Sequence, residues 1–99
     1  MNKNYFVYIL TNTYNTVFYT GMTNNLDFRA FTHKNKIINS FTKRYNIWKL
    51  VYYELFTDVN DTIAREKQVK DYRREKKLKL IKSMNPEFRD LGKGISHPD

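Results

Sequence analysis

Residues 17–33 constrain the fold more than any other segment, because strand-forming, bending and helix-capping residues follow one another there. Residues 17–20 are β-branched or aromatic, which suits a pleated strand. Gly21 follows directly, and a residue without a Cβ allows a sharp bend or the close approach of a ligand. Asn24 or Asn25 can then cap a helix by accepting a hydrogen bond from its first N–H groups. The segment therefore predicts a strand, a tight turn and a helix.

Three side chains that can bind phosphate are close together in this segment. Tyr19 lies at the end of the predicted strand, whereas Arg29 and His33 lie in the predicted helix. Because Arg29 and His33 are four positions apart, they share one helical face. The three residues are therefore candidates for binding a phosphate group.

The other elements follow from residue type and periodicity. Two further β-forming runs predict strands, and the first of them should be buried on most of both faces because it does not alternate with polar residues. The predicted elements are strands at 5–11, 17–22 and 48–56 and helices at about 25–34, 59–72 and 73–83. The fold class is therefore α/β (α+β): a small three-stranded antiparallel sheet flanked by helices, in the order β-β-α-β-α-α. We expect one domain over residues 1–91 and a flexible tail over 92–99.

Composition limits the type of site and the compartment. The chain has no cysteine, which excludes disulfides and cysteine-based zinc sites, and only two histidines, His33 and His97. The apolar run near the N-terminus is too short to cross a membrane and lacks a cleavage pattern, so we expect a cytoplasmic protein with no membrane partner.

Positive charge is concentrated in the last two predicted helices. Nine basic and three acidic residues lie between Arg65 and Lys82, a net of +6 within a total of +8. This asymmetry is consistent with a nucleic-acid partner and, about equally, with an ordinary solvated helix surface. Residues 35–46 also interleave basic and aromatic side chains, which either contact a nucleic-acid strand or belong to an ordinary surface loop, with the second slightly favoured.

Three motifs in this order resemble the GIY-YIG nuclease family. The motifs are Tyr8-Ile9-Leu10, Tyr19-Thr20-Gly21-Met22-Thr23-Asn24-Asn25-Leu26 followed by Arg29 and His33, and Arg65-Glu66-Lys67-Gln68-Val69-Lys70. The chain is most similar to the small single-domain (UPF0213-like) members and to the nuclease domain of the bacterial excision-repair incision protein. The resemblance covers about residues 5–91.

The resemblance implies a role for each catalytic candidate. Tyr8 would help to activate the attacking water, although an unperturbed phenol, with a pKa of about 10, is a poor base. Tyr19 would orient the water or the phosphate. Arg29 would hold phosphate oxygens and offset charge in the transition state. His33 would bind phosphate or transfer a proton. Without the family pattern, ordinary packing would explain the tyrosines, and a solvated helix surface would explain Arg29 and His33.

Glu66 matches the single metal-binding carboxylate of the family. One carboxylate together with substrate phosphate suffices for Mg²⁺ or Mn²⁺, because Mg²⁺ keeps several water ligands. The resemblance thus implies one divalent ion at Glu66. The alternative role for Glu66 is a helical ion pair with Lys70.

The chain departs from the family pattern at several positions. Phe6, Val7 and Thr20 replace a glycine and two isoleucines in the two motifs, and these are tolerated changes. Met22 stands where some relatives have a lysine that would lower the pKa of Tyr8. The asparagine that many relatives carry twelve residues after the glutamate is replaced by a leucine, so Asn85 is the candidate for its phosphate-binding role.

The predicted function is a metal-dependent endonuclease that hydrolyses phosphodiester bonds in DNA, with a possible part in DNA repair or recombination. The residues predicted to bind the substrate are Gly21, Lys70, Arg73, Arg74 and Asn85. Two alternatives remain open: a nucleic-acid-binding module without cleavage, and an interaction domain that depends on a partner protein. We expect no separate DNA-reading module, so three alternatives for the specificity remain open: it is low, it is directed by DNA structure, or it comes from a partner protein.

Overall fold

The computed structural model describes residues 3–27, 29 and 43–92. The described elements are the strands β1 (Tyr5–Thr11), β2 (Phe18–Thr23) and β3 (Lys49–Phe56) and the helices α1 (Val59–Lys70) and α2 (Arg74–Met84). The strands form one antiparallel sheet in the order β2-β1-β3. This architecture confirms the predicted fold class. Neither described helix is long and apolar enough to cross a bilayer.

The central strand β1 sets the register of the sheet. Tyr8 lies opposite Gly21 of β2 on one side and opposite Tyr53 of β3 on the other. The pairing with β3 is irregular between Ile9 and Leu10. The last five residues of β1 are buried, as its continuous apolar run predicts.

Two hydrophobic clusters lie on opposite faces of the sheet, because successive side chains of a strand alternate. On the first face the buried members are Tyr8, Leu10, Leu26, Ile47 and Leu50. On the second face they are Ile9, Val51, Tyr52, Val69 and Ile81. The helices α1 and α2 therefore cover the second face through Val69 and Ile81.

The helix boundaries have local causes. The side chain of Asp58 caps α1 by accepting hydrogen bonds from the N–H groups of Asn60 and Asp61, at 2.7 and 3.1 Å. The helix α2 ends at Met84, and Asn85 occupies its C-cap, next to a proline as predicted.

The buried face of α1 differs from the one that periodicity indicates. The spacing of Ile63, Ala64, Val69 and Tyr72 predicts one buried face. Val69 is buried and Tyr72 is partly buried, but Ile63 and Ala64 are exposed, Ile63 to 38%. Thr62 is fully buried instead, and its hydroxyl donates to the backbone oxygen of Asp58 at 2.7 Å. The short threonine satisfies its polar group locally, so it can take a core position.

The helix predicted at 25–34 lies mostly outside the described residues. Leu26, Asp27 and Arg29 have helical backbone, and the N–H of Arg29 donates to the carbonyl oxygen of Asn25 at 3.1 Å. The described elements alone therefore follow the order β-β-β-α-α, with a helical start between β2 and β3.

Candidate active site

Gly21 supports the ring of Tyr8 on the neighbouring strand. A Cβ at Gly21 would lie 2.6 Å from the hydroxyl oxygen of Tyr8 and 2.7 Å from its Cζ, and 3.2 Å from Cε2 of Tyr19. Contacts below 3.0 Å essentially never occur for real Cβ atoms. Only glycine therefore allows both tyrosines to occupy these positions.

Tyr8 and Tyr19 form a pair on the first face of the sheet. Their ring centroids are 6.4 Å apart with a tilt of 43° between the planes. Tyr8 is only 2% exposed, while Tyr19 is partly buried beside it. The two motif tyrosines are thus brought together by strand pairing, as the sequence predicts.

Burial and three neighbouring residues affect the pKa of the Tyr8 hydroxyl. Burial raises the pKa of the Tyr8 hydroxyl above its ordinary value, and the nearby hydroxyl of Tyr19 raises it further. The positive charge of Arg29 acts in the opposite direction, and the negative charge of Glu66 again raises the pKa. The Tyr8 hydroxyl is therefore protonated at neutral pH, and the charges of Arg29 and Glu66 both act on it.

Glu66 lies on α1 with its side chain 16% exposed. Its Oε2 is 3.2 Å from Nζ of Lys70, one helical turn further on, which is the ion pair considered above. Across residues 3–27, 29 and 43–92, no three His, Cys, Asp or Glu side chains are grouped so that they could enclose a metal ion. In the part of the chain that the structure describes, the carboxylate of Glu66 is therefore paired with Lys70, and its role as a metal ligand stays a prediction.

A bidentate ion pair fixes α1 against β3 next to Glu66. Nε and NH2 of Arg65 donate to the two carboxylate oxygens of Glu54, at 2.9 and 2.8 Å. NH1 of Arg65 donates to the hydroxyl of Tyr72 at 3.1 Å, and the hydroxyl of Tyr52 donates to Glu54. Because Arg65 directly precedes Glu66, this ion pair restrains the rotation of α1 about its own axis and so the direction of Glu66.

The pKa shifts in this group favour the charged pair. Burial alone would raise the pKa of Glu54, but the hydrogen bonds from Arg65 and Tyr52 outweigh it, so the pKa of that carboxyl is lowered. The bonds to Glu54 raise the pKa of Arg65. The sequence analysis missed this group. The position of Arg65 beside Glu66 was a signal, but nothing marked Glu54 as its partner.

Two of the basic residues predicted to bind substrate already contact the protein. Arg74 donates to the carbonyl oxygens of Thr16 and Asn15, at 2.9 and 3.2 Å, and its guanidinium carbon lies 5.3 Å from the ring centroid of Phe18. Lys70 pairs with Glu66, as described. Arg73 is exposed at the N-cap of α2. Arg74 therefore connects the basic helix α2 to the β1–β2 loop.

Asn85 is buried and forms three hydrogen bonds with the backbone. Its side-chain amide donates to the carbonyl oxygens of Val51 and Arg89, at 3.1 and 2.7 Å, and its Oδ1 accepts from the N–H of Arg89 at 3.0 Å. These bonds hold the segment after α2 against β3. Its phosphate-binding role stays a prediction. His33 lies outside the described residues.

Comparison with known proteins places this geometry in a family. The model of the GIY-YIG catalytic domain matches residues 4–79, which include Tyr8, Tyr19, Arg29 and Glu66. The chain belongs to the GIY-YIG family. Membership points to a nuclease-type function.

Relatives within this GIY-YIG family match most of the chain. A UPF0213 protein of Syntrophus aciditrophicus is 41% identical over 88% of this chain and 98% of its own length. UPF0213 protein CPE1444 of Clostridium perfringens is 36% identical over 79% of this chain and 84% of its own length. The solution structure of UPF0213 protein BH0048 from Bacillus halodurans superposes with a TM-score of 0.57 at 27% identity, covering 91% of this chain and 95% of that one. The chain is therefore similar to small GIY-YIG proteins along nearly their whole length.

Proposed function

We propose that this chain is a metal-dependent endonuclease that hydrolyses phosphodiester bonds in DNA. The proposal rests on the position of the Tyr8 hydroxyl, which lies against Gly21 and whose pKa is affected by the charges of Arg29 and Glu66. A proton-exchanging group, a phosphate-binding cation and a carboxylate are the parts that phosphodiester hydrolysis requires. A role in DNA repair or recombination fits such an activity.

Glu66 would hold one Mg²⁺ or Mn²⁺ ion, with water and substrate phosphate as its other ligands. When bound, such an ion lowers the pKa of a coordinated water and stabilises the leaving oxygen. Nζ of Lys70 lies 3.2 Å from Oε2 of Glu66 and compensates the charge of the carboxylate. With an ion held by Glu66, Lys70 would be available to a substrate phosphate.

Tyr8 acts as a neutral hydroxyl that positions the attacking water, because burial keeps it protonated. A divalent ion bound at Glu66 would oppose the effect of the carboxylate and lower the pKa of the Tyr8 hydroxyl, whereas the negative charge of a substrate phosphate would raise it. Tyr19 orients the water or the phosphate beside it. Arg29 binds phosphate oxygens, and His33 provides a second phosphate contact or proton transfer.

The basic helices would attract the DNA backbone without reading sequence. Lys70, Arg73 and Arg74 belong to this surface, and Gly21 makes room for the two tyrosines. A phosphate contact by Asn85 would require its three hydrogen bonds with the backbone to open. Such attraction weakens as salt concentration rises. A partner protein would then supply any preference for a particular sequence.

The test compares cleavage of labelled DNA structures by the wild type, Glu66→Gln and Glu75→Gln, with Mg²⁺ or Mn²⁺ and with a chelator. Glu75 is an exposed acidic residue on α2, so Glu75→Gln removes the same charge as Glu66→Gln but at a position outside the candidate site. We expect metal-dependent cleavage that Glu66→Gln reduces at least about 10²-fold and Glu75→Gln leaves intact. Equal cleavage by the wild type and Glu66→Gln would refute the site.

A non-catalytic binding module is the second candidate, favoured by the exposed basic residues of α1 and α2. Salt-dependent binding without cleavage, unchanged by Glu66→Gln, would support this function instead. A domain that acts only with a partner protein would show no DNA affinity at moderate salt.

A further inference from the structure

A cleft lies at the tip of the β1–β2 hairpin, away from the tyrosine pair. Its volume is ≈ 240 Å³, equal to about eight water molecules at ~30 Å³ each, which suits one nucleobase. The lining residues are Asn12, Thr13, Tyr14, Tyr45, Asn46 and Trp48. Three aromatic side chains around so small an opening distinguish the cleft from an ordinary polar loop.

The walls of the cleft are held in place by hydrogen bonds. Nε1 of Trp48 donates to Oγ1 of Thr13 at 3.0 Å, and its backbone N–H donates to the carbonyl oxygen of Thr11 at 3.1 Å. The side chain of Asn12 closes the loop by accepting from the N–H of Thr16 at 2.8 Å. The indole is therefore preorganised, which lowers the entropic cost of binding a planar ring.

The most accessible aromatic residue of the cleft is Tyr14, which is 83% exposed. Because most of the Tyr14 ring faces solvent, a planar ligand that stacks on it would bury aromatic surface and gain contact area. Beside it, the guanidinium carbon of Arg44 lies 5.6 Å from the ring centroid of Tyr45. An aromatic surface with a cation next to it is the combination that stacks bases and holds their phosphates.

Further positive charge lies next to the hairpin loop and in the residues before Tyr45. Arg74 donates to the carbonyl oxygens of Asn15 and Thr16 in the same hairpin loop, which brings the first turn of α2 next to it. Lys43 and Arg44 are exposed immediately before Tyr45. The charge around the aromatic walls is thus complementary to a polyanion rather than to an apolar peptide.

We propose that this cleft binds an unpaired base of a single-stranded DNA segment by stacking. The inference deepens the proposed function, on which it rests, by naming a substrate class: DNA with a single-stranded flap, loop or end. Asn12 lies four positions after Tyr8, just beyond the end of β1, so extended backbone places the two residues roughly 13 Å apart. A strand whose phosphate lies at the tyrosine pair therefore reaches the cleft within a few nucleotides. Because every base has a π-face, the cleft confers a preference for unpaired strands and little preference for sequence.

Trp48 is the only tryptophan of the chain and reports directly on the cleft. Its fluorescence would be titrated with a short oligothymidine, an abasic strand with the same number of phosphates, and a duplex of the same length. The Glu66→Gln protein and a chelator keep the strands intact. Tyr14→Ala removes the exposed ring, and Tyr14→Phe is the matched control because it retains the ring without the hydroxyl.

We expect oligothymidine to quench Trp48 and to bind more tightly than the abasic strand or the duplex. Tyr14→Ala should weaken oligothymidine binding roughly 5- to 100-fold, the usual effect of losing one stacked base, whereas Tyr14→Phe should bind like the parent protein. Equal binding of the abasic strand, of the duplex, or by Tyr14→Ala would overturn the proposal. If the wild type does not cleave DNA but the quenching still depends on the bases and on Tyr14, the proposed nuclease function is refuted, whereas the proposal that the cleft binds a base is supported.

Discussion

Gly21→Ala tests the geometry of the candidate site most directly. The added methyl would lie 2.6 Å from the hydroxyl oxygen of Tyr8, whereas ordinary contacts begin at 3.4 Å, so the oxygen must move by 0.8 Å. The ring of Tyr8 is 2% exposed and cannot swing into solvent. The strain must therefore be absorbed by the core or by a displacement of the hydroxyl within the site.

Two magnitudes follow from this displacement. Overpacking costs about 1–3 kcal/mol, and replacing a glycine returns about 0.4–1 kcal/mol by restricting the unfolded chain, so we expect a net loss of about 1–2 kcal/mol. A misplacement approaching ~1 Å at a reacting group costs about 10²-fold in rate. Gly21→Ala should therefore unfold at a lower urea concentration and lose about 10²-fold in kcat/KM for DNA cleavage.

A double-mutant cycle separates the two effects. In a Tyr8→Phe background the hydroxyl is absent, so Gly21→Ala should reduce cleavage no further, while its stability cost remains because the ring is still crowded. Urea denaturation followed by circular dichroism measures the stability, and cleavage of labelled DNA measures the rate. If Gly21→Ala cleaves like the wild type, or if its effect on cleavage is additive with Tyr8→Phe, the hydroxyl is not the group that Gly21 positions.

Two further predictions concern ionisation and stability. Glu54→Gln leaves the half-buried Arg65 without its charged partner and should lower the free energy of unfolding by about 2 kcal/mol in urea denaturation at neutral pH. Folding lowers the pKa of Glu54, so the carboxylate stabilises the fold at a pH above its pKa in the unfolded chain, and this stabilisation is lost as the pH falls through its pKa in the folded protein. The Glu54→Gln variant should therefore lose less stability in acid than the wild type. Burial raises the pKa of the Tyr8 and Tyr52 hydroxyls. Each hydroxyl therefore stabilises the fold fully at a pH below about 10, its pKa in the unfolded chain, and this stabilisation is lost as the pH rises through its pKa in the folded protein. Tyr8→Phe and Tyr52→Phe should each flatten the alkaline loss of stability, measured by thermal unfolding against pH; an unchanged alkaline limb in both would contradict the assigned burial.

Local sequence was sufficient for the three strands and the two described helices. The apolar run of β1 required cover on both faces of the strand, and the hydrophobic clusters on the two faces of the sheet provide that cover. Asp58 before α1 and the proline after Asn85 marked helix ends through chemistry that acts within a few residues. The candidate site with Tyr8, Tyr19, Arg29 and Glu66 came from the resemblance of the motifs to the GIY-YIG family, and the roles of these residues stay predictions.

Tertiary packing determined which side chains are buried and which partners they have. Periodicity favoured Ile63 over Thr62 for the core of α1, but the rotation of that helix is set by the bond between Arg65 and Glu54, which no local pattern encodes. The same holds for the aromatic cleft, where Tyr14 and Trp48 meet only because β1 and β3 are neighbours. Local preferences depend on neighbours along the chain and are readable from sequence, whereas burial, pKa and pairing depend on elements that meet only in the folded sheet.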